Sequence, residues 1–186
     1  RDKSLMRWLA AHGWEHAATE TAARLRRSAV ALDILAVASE HAKPEAAAMA
    51  IVNEAQAALA ADQVSIGMLK GRARHPRVRL LALSYSAWFR KRAEIVDAVE
   101  AAMDECFDQM APVSHPPLPS LSTAISVAHA DHVRGSRTRH MLTVPLSDAT
   151  GPVGAMSVER RDDRPFTEDD KAMAEAIAAL IGPVLE

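Results

Sequence analysis

Two pairs of segments with two-residue periodicity sit inside an otherwise helical chain, and this does most to narrow the fold. In the first pair, Val64, Ile66 and Met68 alternate with Ser65, Gly67 and Leu69, and Val78, Leu80 and Ala82 alternate with Arg79, Leu81 and Leu83. The basic stretch between them reverses the chain, so the two segments read as a hairpin. The second pair spans about 138–146 and 152–160, and its connection, 147–151, has the Asp and Gly of a tight reversal.

Around these strands the apolar residues follow a helical period. Leu25, Leu32 and Ser39 recur every seven residues, with Arg24, Arg26, Arg27 and Glu40 on the polar face. So thin a stripe requires a partner, either the chain's own domain or a second chain. Pro44 suits the first turn of a second helix. Ile95, Val99, Met103, Cys106 and Met110 mark one face of a third helix at about 91–110. The four prolines of 112–119 force an extended or looped segment. A fourth helix follows to about residue 134, capped by Ser120 or Ser122, with Leu121, Ile125, His129 and His132 on one side. Thr167 caps a last helix whose stripe is Met173, Ile177, Leu180, Ile181 and Val184. The expected fold is α+β: a mostly antiparallel central sheet between helical layers, with a long N-terminal helix. Residues 1–30 read as a helical extension and 31–186 as the compact domain.

Composition agrees with this order. Hydrophobic residues are 49% of the 186, aromatics only 4%, and alanine alone about a fifth, which favours helices and argues against an aromatic-stacking reader of nucleic acid. The net charge of -2 argues against nucleic-acid binding generally. One Cys excludes a disulfide framework. No apolar run is long enough to span a bilayer, and no signal peptide is visible. The Arg1 start and the helical pattern at Glu186 suggest a piece of a longer protein.

The two sheet faces differ in chemistry. Val64, Ile66, Met68, Leu142, Val144, Leu146, Met156 and Val158 form a large apolar face. Ser65, Gly67, Thr143, Ala155 and Ser157 form a small, mildly polar one, which leaves room and hydrogen-bonding groups for a ligand. Ile95, Val99, Ile125, His129 and His132 are placed above it, and Trp88 is positioned to close it. Alternatively, Ala-rich helices simply pack there.

The segments 62–67, Val144-Pro145-Leu146, 151–160 (GPVGAMSVER) and 165–170 (PFTEDD) resemble a GAF domain, a sensory fold related to PAS. Residues 101–109 and 181–186 are similar to GAF domains that precede a membrane span in secretion or efflux adaptor proteins. The resemblance covers about 30–186. It implies a six-stranded antiparallel sheet, a small-molecule pocket on one face and homodimers through terminal helices. It also implies that any membrane attachment comes from parts outside this chain, and a cytoplasmic regulatory role.

The family's ligand chemistries can be tested against these residues. Cys106 is the sole residue available for bilin attachment, and it lies on an apolar helix face, where a thiol is inert. A methionine sulfoxide reductase route needs several cysteines. The Asn-Lys-Phe-Asp-Glu signature of cyclic-nucleotide binders has no match. His129 and His132 share a face; two ligands are too few for a zinc site, His115 in the Pro-rich segment is the candidate third, and a pair of ordinary helix histidines is the commoner case. Ser84 and Ser86 lack elbow glycines. The Arg-rich segments 72–79 and 134–140 read as solvated tips, with phosphate lipids or an acidic partner as the alternative. The expectation is therefore a non-enzymatic domain, with no cofactor and no metal, that senses an unidentified small molecule. The alternative is a ligand-free dimerisation scaffold of the same fold.

Overall fold

The structure, a computed structural model, describes residues 2–70, 76–84 and 93–185. Its elements are α1 (Asp2–Ser39), α2 (Pro44–Ala58), β1 (Gln63–Lys70), β2 (Arg77–Leu83), α3 (Ala93–Gln109), β3 (Val113–His115), α4 (Val127–Gly135), β4 (His140–Ser147), β5 (Pro152–Arg160) and α5 (Glu168–Leu185). The strands form one sheet in the order β2-β1-β5-β4-β3, antiparallel at every pairing. The fold is α+β, as the alternation pattern predicts. The described residues hold five strands where the resemblance implies six, and the Pro-rich segment supplies β3.

The apolar sheet face carries most of the core. Val64, Ile66, Leu142, Val144, Leu146, Met156 and Val158 meet Ala31, Ile34 and Ala38 of α1, Ala47, Ala48, Ile51, Val52 and Ala55 of α2, and Ile177, Ala178 and Ile181 of α5. Alanine at so many of these positions lets the helix backbones approach the sheet closely. α1 runs unbroken, and among its described side chains the core contacts start at Val30 and Ala31.

The opposite face is covered by α3 and α4. Val78, Val99, Met103 and Ala155 form a small second core there, with Leu80 and Ile95 packed against it. The sequence places Val78, Leu80 and Ala82 on one face, and the structure separates them. The β1–β2 register shifts between Ile66 and Gly67, so Leu81 is an extra residue. That bulge turns Ala82 to the main core and leaves Val78 and Leu80 under α3.

β2 is an edge strand, and α3 covers its free N–H groups. The Val78 N–H donates to Asp104 Oδ1 at 2.8 Å and the Leu80 N–H to Glu100 Oε1 at 2.9 Å. Four residues along a helix span about 6 Å, close to the ~6.6 Å of two residues along a strand, so the two spacings match. Arg77 and Arg79 pair with the same carboxylates at 3.2 and 2.7 Å.

Two helix ends differ from expectation. Met110 is not on the buried stripe: it adopts φ 50 just past α3, where the left-handed turn leaves its side chain 65% exposed. The fourth helix starts at Val127 rather than near Ser120, because residues 119–121 form a short 3-10 turn. Ser120 instead donates its N–H and hydroxyl to Glu168 at the start of α5.

Candidate functional site

Glu105 of α3 replaces the missing side-chain cap of α4. Ser126 occupies the cap position without a side-chain hydrogen bond. The Glu105 carboxylate takes the Ala128 and His129 N–H groups instead, at 3.0 and 3.2 Å. One turn further along α3, the Gln109 side chain bonds both the N–H and the carbonyl of Ile125, each at 2.8 Å. These two side chains hold α4 in place.

His129 then carries the contact to the sheet. Its Nδ1 lies 2.7 Å from Glu105 Oε2 and its Nε2 2.8 Å from Thr143 Oγ1, which lies 2.9 Å from Ser157 Oγ. Burial holds the imidazole below its ordinary range even though Glu105 pulls it upward. Burial also acts to raise the Glu105 carboxyl, but the hydrogen bonds from the His129 ring and from the Ala128 and His129 N–H groups outweigh it and lower the carboxyl. A neutral ring beside a carboxylate donates from Nδ1 and accepts at Nε2, which fixes the direction of the row. Thr143 donates to His129, and Ser157 donates to Thr143. Ser65 is the β1 neighbour of Ser157, and its fully buried hydroxyl has no hydrogen-bond partner among the described residues.

Six of the ten residues the sequence singles out therefore converge under α3 and α4: Ser65, Gly67, Val99, His129, Thr143 and Ser157. Ile95 packs on the rim of the second core. His132 is buried nearby but turned to another partner, its Nε2 3.1 Å from Glu159 Oε2. Ile125 is 62% exposed and borders a separate cleft of about 350 Å³ that reaches Glu105 from outside. Trp88 lies outside the described residues. The face is closely covered at Gly67, where a Cβ would stand 2.5 Å from Val78 Cγ1 and 2.6 Å from Met103 Sδ.

Sequence reasoning missed Glu105, Gln109 and Glu159. The first two sit in a run of acidic and amide residues in which the pattern does not mark which ones turn inward. Glu159 is 2% exposed and accepts hydrogen bonds from His132, Thr138 and Gln63. Its position near the end of an alternating strand, next to Arg160 and paired with Gln63 and Met141, gives no sign of burial.

A carboxylate, an imidazole and a hydroxyl in sequence can activate a nucleophile. Here Thr143 is fully buried in mid-strand, and the row links α3, α4, β4 and β5 instead. Burial raises the Cys106 thiol to about 12, with Glu105 adding to the effect, so the thiolate is inaccessible near neutral pH. Among the described residues no group of three or more His, Cys, Asp or Glu is placed to hold a metal ion. No described helix is long and apolar enough to cross a membrane.

An antiparallel sheet with three helices on its apolar face, and two more over a small polar face, is the architecture of a class of regulatory α+β domains. The GAF domain family model matches residues 43–185, and the chain belongs to the GAF family, a sensory and regulatory fold of signalling proteins. The GAF domain of an Acinetobacter phosphoenolpyruvate-protein phosphotransferase is similar at TM-score 0.62 and 16% identity, over 86% of this chain and 92% of that one. The phycocyanobilin-bound GAF domain of a cyanobacterial phytochrome is similar at TM-score 0.59 and 14% identity, over 84% and 91%. The A. aeolicus nlh2 GAF domain in an inactive state is similar at TM-score 0.56 and 12% identity, over 86% and 95%. No curated protein is similar enough in sequence to count as a relative.

Proposed function

We propose that this GAF domain is a non-enzymatic sensor that takes a small, uncharged polar molecule between the sheet and helices α3 and α4. The observation that carries this reading is the buried row Glu105–His129–Thr143–Ser157, ending at the unpartnered hydroxyl of Ser65. A scaffold alone gains nothing from such a row, because apolar residues of the same volume hold a core at least as well. A ligand hydrogen-bonding to Ser65 completes the row. In this reading Ser65, Gly67, Val99, His129, Thr143 and Ser157 face the ligand, with Ile95 at the rim and Trp88 on the chain between β2 and α3, while Ile125 borders the outer cleft and His132 is engaged by Glu159.

Any shift of α4 on binding reaches Glu105 and Gln109, and through α3 the edge strand β2. The output passes to the terminal helices, where α1 pairs two copies. Residues 1–30 act as that helical extension, and 31–186 as the sensing unit, working in the cytoplasm. Leu25 and Leu32 support the pairing, because at 68% and 55% exposure they are not used by their own domain.

One observation favours the ligand-free scaffold instead: the close cover of Gly67 by Val78 and Met103. A thermal-shift screen of polar metabolites decides between the readings. The sensor requires a compound that raises the melting temperature of the native protein but not of Ser65→Val. Absence of any such compound, with α3 and α4 seated on the sheet in a crystal, establishes the scaffold.

A further inference from the structure

The Arg-rich segment at the end of α4 builds a second site, at the other end of that helix from the Glu105 cleft. Val133, Ser136, Arg137, Thr138, Arg139 and Arg161 line an open cleft of about 610 Å³. That volume suits a small molecule. Three of the six residues are arginines and none is acidic.

The charges are unequally compensated. Arg139 pairs with Asp163. Among the described residues the Arg161 guanidinium hydrogen-bonds the neutral Gln63 Oε1, at 3.3 Å, while Asp62 takes its backbone N–H at 2.7 Å. Among the described residues Arg137 and Arg161 make no ion pair. Glu159 lies beneath the floor, but His132, Thr138 and Gln63 already hydrogen-bond its carboxylate. The Ser136 hydroxyl accepts the Thr138 N–H at 3.1 Å and keeps its own proton to donate. α4 ends at Gly135, so its negative pole lies beside Arg137 in sequence and offsets part of the positive charge that the arginines bring to the cleft.

We infer that this cleft binds the phosphoryl group of a soluble phosphate-bearing metabolite, held between Arg137 and Arg161. Paired guanidinium forks match phosphate oxygens in geometry and charge. Arg139 and the Ser136 hydroxyl complete the donor set. A soluble ligand fits better than a bilayer, because among the described residues the exposed large apolar side chains lie elsewhere, on α1, on α5, after α3 and around the start of α4. This site is independent of the pocket proposed over the sheet.

Isothermal titration of the full chain with pyrophosphate and with ATP tests it. Saturable binding is expected, weakening as salt rises. The exposed double variant R137Q/R161Q should keep the native melting temperature and bind at least about tenfold more weakly. R26Q on α1, which also removes one exposed arginine, should bind as the native chain does. Cosedimentation with phosphatidylglycerol vesicles, against phosphatidylcholine alone, distinguishes the phosphate source. The inference is overturned by absence of saturable binding to either soluble phosphate, by equal binding in R137Q/R161Q, or by binding to the vesicles alone.

Discussion

His129 Nδ1 lies 2.7 Å from Glu105 Oε2, and that one carboxylate also caps the helix on which His129 sits. A single side chain of α3 thus sets both the position of α4 and the tautomer of its buried histidine. Glu105→Ala removes three hydrogen bonds to a charged acceptor and leaves two N–H groups and a ring nitrogen unpaired. The expected cost is about 2–3 kcal/mol in urea unfolding, with Glu105→Gln losing less because one acceptor oxygen remains. A loss under about 0.5 kcal/mol for Glu105→Ala, the size of an ordinary surface change, would remove the energetic basis of this arrangement.

The same pair makes stability fall on acidification. Folded His129 titrates below the ordinary 6.5, chiefly through burial, with His132 and His115 adding to the effect and Glu105 opposing it. Folded Glu105 titrates below the ordinary 4.5, because its hydrogen bonds from His129 and Ala128 outweigh burial. In both ranges the unfolded chain binds more protons than the folded one, so stability declines as pH drops. The decline begins below 6.5 and steepens below 4.5. His129→Gln should flatten the first part of a plot of urea midpoint against pH. His140, also held low mainly by burial, keeps some slope there. A midpoint that rises on acidification through this range would contradict the assignment.

Two strand glycines and one in α5 separate flexible from rigid obstruction. A Cβ on Gly67 meets the Val78 methyl and the Met103 sulfur, both side-chain atoms that can shift. A Cβ on Gly154 meets the Gly67 carbonyl, and one on Gly182 meets the Ser147 carbonyl, both fixed in strand backbone. Gly67→Ala should cost about 1–3 kcal/mol, while Gly154→Ala and Gly182→Ala exceed it. Thermal melts of the three variants give the ranking. Gly67→Ala in the background of Met103→Ala should cost less than in the native chain, since the sulfur is gone.

The alternating strands β1, β4 and β5 were legible because each side of the sheet meets a different environment. The apolar residues face α1, α2 and α5, and the small polar ones face α3. β2 was only half legible: the bulge at Leu81 reverses its faces, and no residue type there announces an inserted residue. The site was legible where it lies on strands, at Ser65, Thr143 and Ser157. It was not legible on α3, where Asp97 is exposed while Glu100, Asp104 and Glu105 reach inward. Only the partner's unpaired N–H groups decide which acid turns inward, and those belong to β2 and α4, distant in sequence.

Arg160 joins the ends of α2, β5 and α5. It is 2% exposed, donates to the Leu59 carbonyl at 2.7 Å and to Asp170 at 2.9 and 3.2 Å, and stacks 4.4 Å above the Phe166 ring. Asp170 also takes the Thr167 N–H and hydroxyl while donating its own N–H to Thr167, so it closes the cap of α5. Asp170→Ala leaves a buried guanidinium unpaired, at an expected cost of about 3–5 kcal/mol. Asp169→Ala, one residue away, breaks only the surface pair with Arg27 and should cost less than about 1 kcal/mol. Chemical denaturation of the two variants checks the contrast, and similar losses would contradict it.

The last prediction concerns α1, whose outward apolar side chains have no partner among the described residues. Ala31, Ile34 and Ala38 turn inward, while Trp14, Leu25 and Leu32 are 79%, 68% and 55% exposed. Leu25 and Leu32 are seven residues apart, so on a helix they fall on one stripe, as a two-helix seam requires. Between Trp14 and Ala29 no described residue is buried, so this part of the helix gains little by folding alone. Pairing with the same helix of a second copy offsets that deficit, because each leucine buried is worth roughly 1.5–3 kcal/mol. Light scattering of the full chain across a range of concentrations should therefore give a dimer. L25D/L32D should give a monomer with its sheet signal intact in circular dichroism, because neither side chain contributes to the core. A native chain that stays monomeric at high concentration, with α1 helical throughout, would show that the stripe serves something other than a second copy.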